Sequence, residues 1–373
     1  MFRITRRRFL QNLAITSPLM ALAGCGGGGG SSLPVSSVRT ALWPEAEALF
    51  HQDPQWLGGD GVYSIDLGQG RVLWLFGDSF IATSSANLRS QSTLVHNSIA
   101  IQTGYDPATA SMKFYWSNSE NGPGAFFQDP NVPKWYWPGH GAMIGSALLI
   151  FLSETQSSSG GLGFSGVGWK AALVTNPDAD PASWNVTYLD SPNQFSLVVG
   201  SSALIVGDYL YAYSNVETDS THHIYLARFS LTDAAQGNLA NLEWYNNSGG
   251  WVLQSKLTQT PQPIMGSGQT EFNIYPNPPH SPFLEVQTVG FGASVLAFRT
   301  APTATGAWSG PQQFYRPPEV SEPNILIYSA KMHPMLTNSG ADFVASYSTN
   351  STDFNTLVQD TSLYYPRFMK VNW

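Results

Sequence analysis

The feature that most restricts the fold of this chain is a unit that recurs five times. Five apolar segments align: Arg71–Asp78, Ala147–Glu154, Asp208–Asn215, Pro282–Val289 and Asp342–Thr349. Their starts are 76, 61, 74 and 60 residues apart. Each leads from a turn to a polar end, as a buried strand does. A second segment follows each one: His96–Gln102, Trp169–Thr175, His223–Phe229, Ser294–Thr300 and Tyr364–Lys370. Four of these lead on to an outer segment with Trp116, Trp184, Trp244 or Trp308. A further strand is expected to open each unit, beginning near Asp60, His140, Ser201, Glu271 and Lys331.

Units of this size with three or four strands predict one all-β domain, a five-bladed β-propeller over residues 38–373. The last unit runs out at Trp373 after its third strand. Val38 to Phe50 is therefore expected to supply the outer strand and close the ring. Within it, Trp43 to Phe50 has a weak helical period of about two turns. A β-sandwich shares the short strands and turns, but five aligned units count against it. With 35 Gly, 25 Pro and aromatics at 13% against charged residues at 11%, the composition suits an all-β domain.

The N-terminus reads as an export signal. Arg6, Arg7 and Arg8 precede a modest apolar stretch, Leu13 to Ala23, and then Leu22-Ala23-Gly24-Cys25. This resembles a twin-arginine signal (residues 1–24) joined to a lipobox. Cys25 is the expected lipidation site, and residues 25–37 form a Gly/Ser tether. The expected location is the bacterial envelope, at the periplasmic face or the outer membrane. The membrane would be reached through the lipid anchor, and the twin-arginine translocon would be the partner during export. Cys25 is the only cysteine, so the domain has no internal disulfide to rely on. Beyond residue 37 there are 13 basic and 25 acidic residues. That excess of negative charge argues against nucleic acid or anionic lipid headgroups as partners.

In a propeller the opening strands line a central channel, so acids there are candidates for chemistry. Asp60 lies in Gly58-Gly59-Asp60-Gly61, Asp78 in Phe76-Gly77-Asp78-Ser79, and Glu271 opens the fourth unit beside Phe272. Asp60 and Glu271 each stand 11 residues before their unit's next strand, which predicts equal depth. Glycoside hydrolysis needs such a pair, one carboxyl to donate a proton and one to activate water or attack carbon. An Asp in a Gly-Asp corner serves equally well as a turn cap. Around the acids, His140, Trp137, Asn97, Lys331, His333 and Arg367 are candidate substrate-binding residues. Each has a structural alternative: a turn histidine for His140, an ion pair between blades for Arg367. No metal-ligand spacing is present, and His222-His223 reads as a strand edge. No cofactor is required by this chemistry, and a structural divalent cation in the channel stays open. Walker loops, Gly-x-Ser-x-Gly elbows, His-Glu-x-x-His and dinucleotide fingerprints are absent from the sequence.

Gly-Gly-Asp60-Gly-Val-Tyr-Ser, Leu73-Trp-Leu-Phe-Gly-Asp78-Ser-Phe, His96-Asn97-Ser, Ala330-Lys331-Met-His333-Pro and Tyr365-Pro-Arg367-Phe occur in that order. Together they resemble the bacterial propeller families labelled domains of unknown function 4185 and 5005, from about Trp56 to Trp373. Those families are similar to five-bladed propeller glycosidases, among them arabinanases, xylosidases and fructan hydrolases, and some family 4185 relatives are endo-D-arabinanases. The resemblance implies a hydrolase of a furanoside or related polysaccharide. In family 43-type propellers one Asp is the base, a second Asp tunes and orients, and a Glu is the acid. Asp60, Asp78 and Glu271 would take those roles in turn. Glu271 lies in the fourth unit, not the third, and His140 stands where the second unit would offer an Asp. A lipid-anchored carbohydrate-binding propeller without catalysis is the alternative.

Overall fold

The computed structural model describes residues 36–129, 133–159, 163–192, 195–216, 222–246, 250–277, 279–292 and 294–373. The expected signal, Cys25 and nearly all of the tether lie outside the described residues. Among the described residues the strands form seven sheets, of which five have four or five strands and two are small. Helices are few and short: Pro44–Leu49, Leu231–Ala235 and Phe354–Gln359. No helix among the described residues is long and apolar enough to cross a membrane.

The five larger sheets follow chain order, and their strands pair antiparallel. Each opens with an inner strand: Tyr63–Gly68, Trp135–Ile144, Val198–Val206, Phe272–Asn277 and Ile325–Met332. The repeated apolar segments are the second strands, Arg71–Phe76, Ala147–Ser157, Tyr209–Asn215, Ser281–Val289 and Phe343–Ser351. Three expected openings need correction. His140, Ser201 and Lys331 sit inside their strands, because register shifts at Pro138/Gly141, Val199/Ser202 and Tyr328/Lys331 add residues there. Such bulges turn side chains to a new direction. At the second of these, Gly200 has φ +108°, and a Cβ on it would come within 2.1 Å of Phe151. Only glycine fits there.

The second strands are apolar on both faces because each sheet is covered on both sides. In the first sheet Leu73 and Leu75 pack toward the second sheet, with Leu148, Ile150 and Leu152. Val72, Trp74 and Phe76 point the other way, toward Val344 and Phe368 of the fifth. Leu149 and Phe151 join the second sheet to Ala212 and Phe229 of the third. Tyr213 and Phe272 join the third to the fourth, and Val286 and Tyr347 the fourth to the fifth. Each fully buried side chain of this size contributes ~1.5–3 kcal/mol. No disulfide among the described residues shares that work.

Arg39–Leu42 pairs with Arg367–Asn372 at the outer edge of the fifth sheet, so the two ends of the domain complete one sheet. The adjoining helix begins on Pro44 and carries Glu45 and Glu47 in its first turn, where proline and negative charge both suit an N-terminus. Glu47 then accepts from the Phe368 amide at 3.1 Å and faces Arg367 at 3.4 Å.

Candidate active site

Asp60 and Glu271 each lie just before an inner strand, Tyr63–Gly68 and Phe272–Asn277, and so at the same end of the sheets. Asp78 follows the strand Arg71–Phe76 and returns beside Asp60. The Asp60 amide donates to the Asp78 carbonyl at 3.3 Å, and the Gly77 amide donates to the Asp60 carbonyl at 2.8 Å. All three residues are partly buried.

Asp60 Oδ2 accepts from the hydroxyls of Tyr328 at 2.6 Å and Tyr364 at 3.0 Å. Its Oδ1 lies against Gly77, where a Cβ would be 2.5 Å away. Burial, together with the nearby charges of Asp78 and Glu271, pushes the Asp60 carboxyl up to about 8, against the pull of the two tyrosines. Asp78 Oδ1 accepts from Trp137 Nε1 at 2.8 Å and lies 3.2 Å from His96 Nδ1. Glu271 Oε1 accepts from Ser329 Oγ at 3.0 Å and from Lys331 Nζ at 3.3 Å. Ser329 Oγ also lies 3.0 Å from the Gly61 carbonyl, with one hydrogen to share between the two acceptors, which brings the Glu271 side of the cluster to the Asp60 loop. Lys331 is fully buried over the Tyr63 ring at 4.0 Å, and its ammonium also bonds Ser329. Burial lowers its pKa, while Glu271 opposes that shift.

The cluster has an aromatic border. Trp137 meets Phe164 edge-on at 4.6 Å, and Trp135 stacks on His96 at 4.4 Å. All four rings are partly exposed.

Of the residues expected from sequence, Asp60, Asp78, Glu271, Trp137 and Lys331 come together here. His140 and His333 do not reach the acids, because both rings are buried and spent on protein partners. His140 Nδ1 accepts from the Ala203 amide at 2.9 Å, and its Nε2 lies 2.8 Å from the Tyr275 hydroxyl. His333 lies between Ser64 Oγ and Ser346 Oγ, each at 2.7 Å. Asn97 is buried, with its amide on the Phe127 and Tyr136 carbonyls at 2.9 Å and its oxygen on the Phe127 amide. Arg367 lies away from the cluster, near Glu47 at 3.4 Å and Glu319 at 3.6 Å, as the ion-pair alternative has it. Tyr328, Tyr364 and Ser329 were missed from sequence. Ser329 and Tyr364 have φ of +60° and +65°, and no turn signal at either position announces it. Among the described residues no group of three or more His, Cys, Asp or Glu side chains could hold a metal ion.

The fold and the cluster together define a nearly all-β scaffold that gathers three carboxyl groups, one buried ammonium and exposed aromatic rings at one end of its sheets. The chain belongs to the family described as domain of unknown function DUF5005, whose model matches residues 45–373. A putative hydrolase from Bacteroides ovatus shares the fold, with TM-score 0.71, 18% identity and 90% of each chain covered. Weaker likenesses join it. One is the α-L-arabinofuranosidase from Podospora anserina in complex with cellotriose, at TM-score 0.47 and 12% identity over 87% of this chain and 93% of that one. Another is the exo-β-1,3-galactanase from Phanerochaete chrysosporium, at 0.46 and 12% over 83% and 59%. At such identities the first likeness speaks to fold alone, and the other two carry no argument. No curated protein matches the chain.

Proposed function

We propose that the domain is a five-bladed β-propeller and a glycoside hydrolase of the bacterial envelope. The five larger sheets would be the blades, each packed against the next and the fifth against the first. The hydrolase reading rests on one observation: Asp60 and Glu271, from different sheets, flank a single cluster with Asp78, and each keeps a carboxyl oxygen without a hydrogen-bond partner among the described residues. Two carboxyls with open oxygens are what proton donation and water activation at a glycosidic bond require. Trp137, Trp135 and Phe164 would offer ring faces to the sugar. The substrate is a polysaccharide, with a furanoside such as arabinan as the class the sequence resemblance implies. The lipobox around Cys25 would hold the enzyme at the envelope.

The aromatic border serves glycan binding equally well, which favours a carbohydrate-binding protein without catalysis as the second reading. A panel of furanoside and pyranoside polysaccharides, read for both binding and new reducing ends, separates the two. Hydrolysis predicts new reducing ends from at least one glycan. Binding with none released would leave only the second reading.

A further inference from the structure

Among the described residues the cluster holds three carboxyl groups and one buried cation, Lys331. The Lys331 ammonium is committed to Glu271, Ser329 and the Tyr63 ring. His96 stands beside Asp78 and opens to solvent. Among the described residues no cation pairs with Asp60; Lys331, paired with Glu271, acts on it only through space. Its partners are two neutral hydroxyls, and both donate to the same oxygen, Oδ2. Asn350 Nδ2 donates to the Tyr328 hydroxyl at 3.3 Å, so the hydrogen of Tyr328 is turned to Asp60. Carboxylates crowded around one ammonium repel each other, and a proton relieves that repulsion most at the carboxyl that lacks a cation. With Oδ2 accepting twice, that proton sits on Oδ1, beside Gly77.

We infer that, in the hydrolase proposed above, Asp60 is the proton donor and Glu271 the carboxylate that deprotonates the attacking water, with Tyr328 and Tyr364 positioning Asp60 so that Oδ1 is the reacting oxygen. This reverses the order of roles that the family 43 resemblance implies. The Oδ1–H bond breaks and the proton goes to the glycosidic oxygen. The bond from that oxygen to the anomeric carbon breaks, and its electron pair stays on the oxygen. Water oxygen bonds to the anomeric carbon, and Glu271 Oε2 takes the water's proton. Solvent then carries that proton away and returns one to Asp60. The groups facing Asp60 are Asp78, Glu271, Tyr328 and Tyr364, with Lys331 behind Glu271. Their net effect, with burial, keeps the Asp60 proton in place at neutral pH.

The test has two arms. In the first, the full chain is labelled with [γ-13C]aspartate, Asp60→Asn assigns the resonance, and the carboxyl is titrated by NMR. Asp60 is expected to titrate above neutrality. Tyr328→Phe and Tyr364→Phe are each expected to raise the midpoint by roughly one pH unit, since each hydroxyl favours the anion. A midpoint below about pH 5 overturns the inference whatever the activity, because a carboxyl that acidic is ionised at pH 7. The second arm compares phenyl with dinitrophenyl arabinofuranosides. Asp60→Asn should lose roughly 100-fold or more on the phenyl substrate and little on the dinitrophenyl one, whose leaving group departs without a proton. Glu271→Gln should lose similarly on both. The opposite pattern overturns the assignment. Absence of turnover by wild type on these substrates and on every glycan of the panel defeats the hydrolase reading and the donor role with it, while the titration still decides where the proton sits.

Discussion

Two polar groups lie a few residues apart along the same inner strands, and they are built in opposite ways. At the strand beginnings stand Asp60 and Glu271, partly buried, with Asp78 beside them and open carboxyl oxygens. Further along lies a hub of Ser64, His140, Tyr275, His333 and Ser346. There the His140 ring reaches Ala203 in the third sheet, Tyr275 in the fourth and, at 3.3 Å, the Ser64 carbonyl in the first. Because its Nδ1 accepts from an amide, its hydrogen is on Nε2 and the ring is neutral. His333 ties the first sheet to the fifth in the same manner. A buried polar group whose partners are complete fixes the relative position of the sheets. One left incomplete at an opening is available to a substrate. On the proposed reading, chemistry and cohesion are separated along one set of strands.

The largest effect that could break this contrast is on turnover. Asp60→Asn or Glu271→Gln should lower kcat/KM roughly 10²- to 10⁴-fold on a cleaved glycan, with circular dichroism unchanged. Full activity in either would remove that residue from the chemistry. Next, His140→Ala should destabilise the domain by ~2–4 kcal/mol, since it opens a cavity and strands the Ala203 amide. Denaturant unfolding reads this directly, and a change under ~0.5 kcal/mol would show the hub to be incidental.

The two groups should also respond to pH with opposite sign. Burial, helped by the Lys331 charge, holds the His140 pKa down to about 4 from 6.5. Between those values the unfolded chain binds a proton that the folded chain refuses. Stability is therefore lost as the pH falls through that window, by on the order of 3 kcal/mol from this ring. Asp60 is raised from 3.8 to about 8, so there the folded chain holds the extra proton, and stability falls as the pH rises through that range. The two windows overlap between about pH 4 and 6.5, where the contributions oppose each other, and above that range only the Asp60 contribution remains; Asp60→Asn should therefore remove the fall toward pH 8 and leave stability rising from about pH 4 to 6.5. A wild-type profile that stays flat from pH 6.5 to 8 would contradict the Asp60 shift, and an Asp60→Asn profile that stays flat from pH 4 to 6.5 would contradict the His140 shift. The smallest effect is expected outside both groups. Arg367→Ala loses a partly exposed pair with Glu47 and Glu319 and should cost ~1 kcal/mol without altering turnover. Loss of activity in that variant would return Arg367 to the site.

The strands were legible in the sequence because both faces of each sheet are covered. Val72-Leu73-Trp74-Leu75-Phe76 must be apolar throughout, and such runs stand out between Gly, Pro and Asn. The pairing of the first described strand with the last was legible for a related reason, since the fifth unit lacked a partner for its third strand. Asp60 and Glu271 were found through their equal spacing from the next strand. The direction of side chains at the bulges was not legible. An inserted residue turns its neighbours without leaving a mark in the pattern, so His140 and His333 were expected among the acids and lie in the hub. Tyr328, at a bulge, escaped for the same reason, and Tyr364 because no turn signal announces its left-handed backbone. Nothing local distinguishes a tyrosine aimed at Asp60 from one that packs in the core. The small sheet of Trp56–Gly59, Ser79–Ala82 and Ser92–Val95 was missed because its strands are too short to show a period.

On the proposed reading, one end of the inner strands does the chemistry while the hub holds the sheets together. This division is tested most directly by measuring turnover and unfolding free energy side by side in Asp60→Asn and His140→Ala, on whichever glycan the panel identifies. A crossed result is expected. Asp60→Asn should lose turnover and keep its stability near neutral pH, and His140→Ala should lose stability and keep its turnover per folded molecule. If both variants lose both properties, or if Asp60→Asn cleaves as fast as wild type, the division of labour is contradicted.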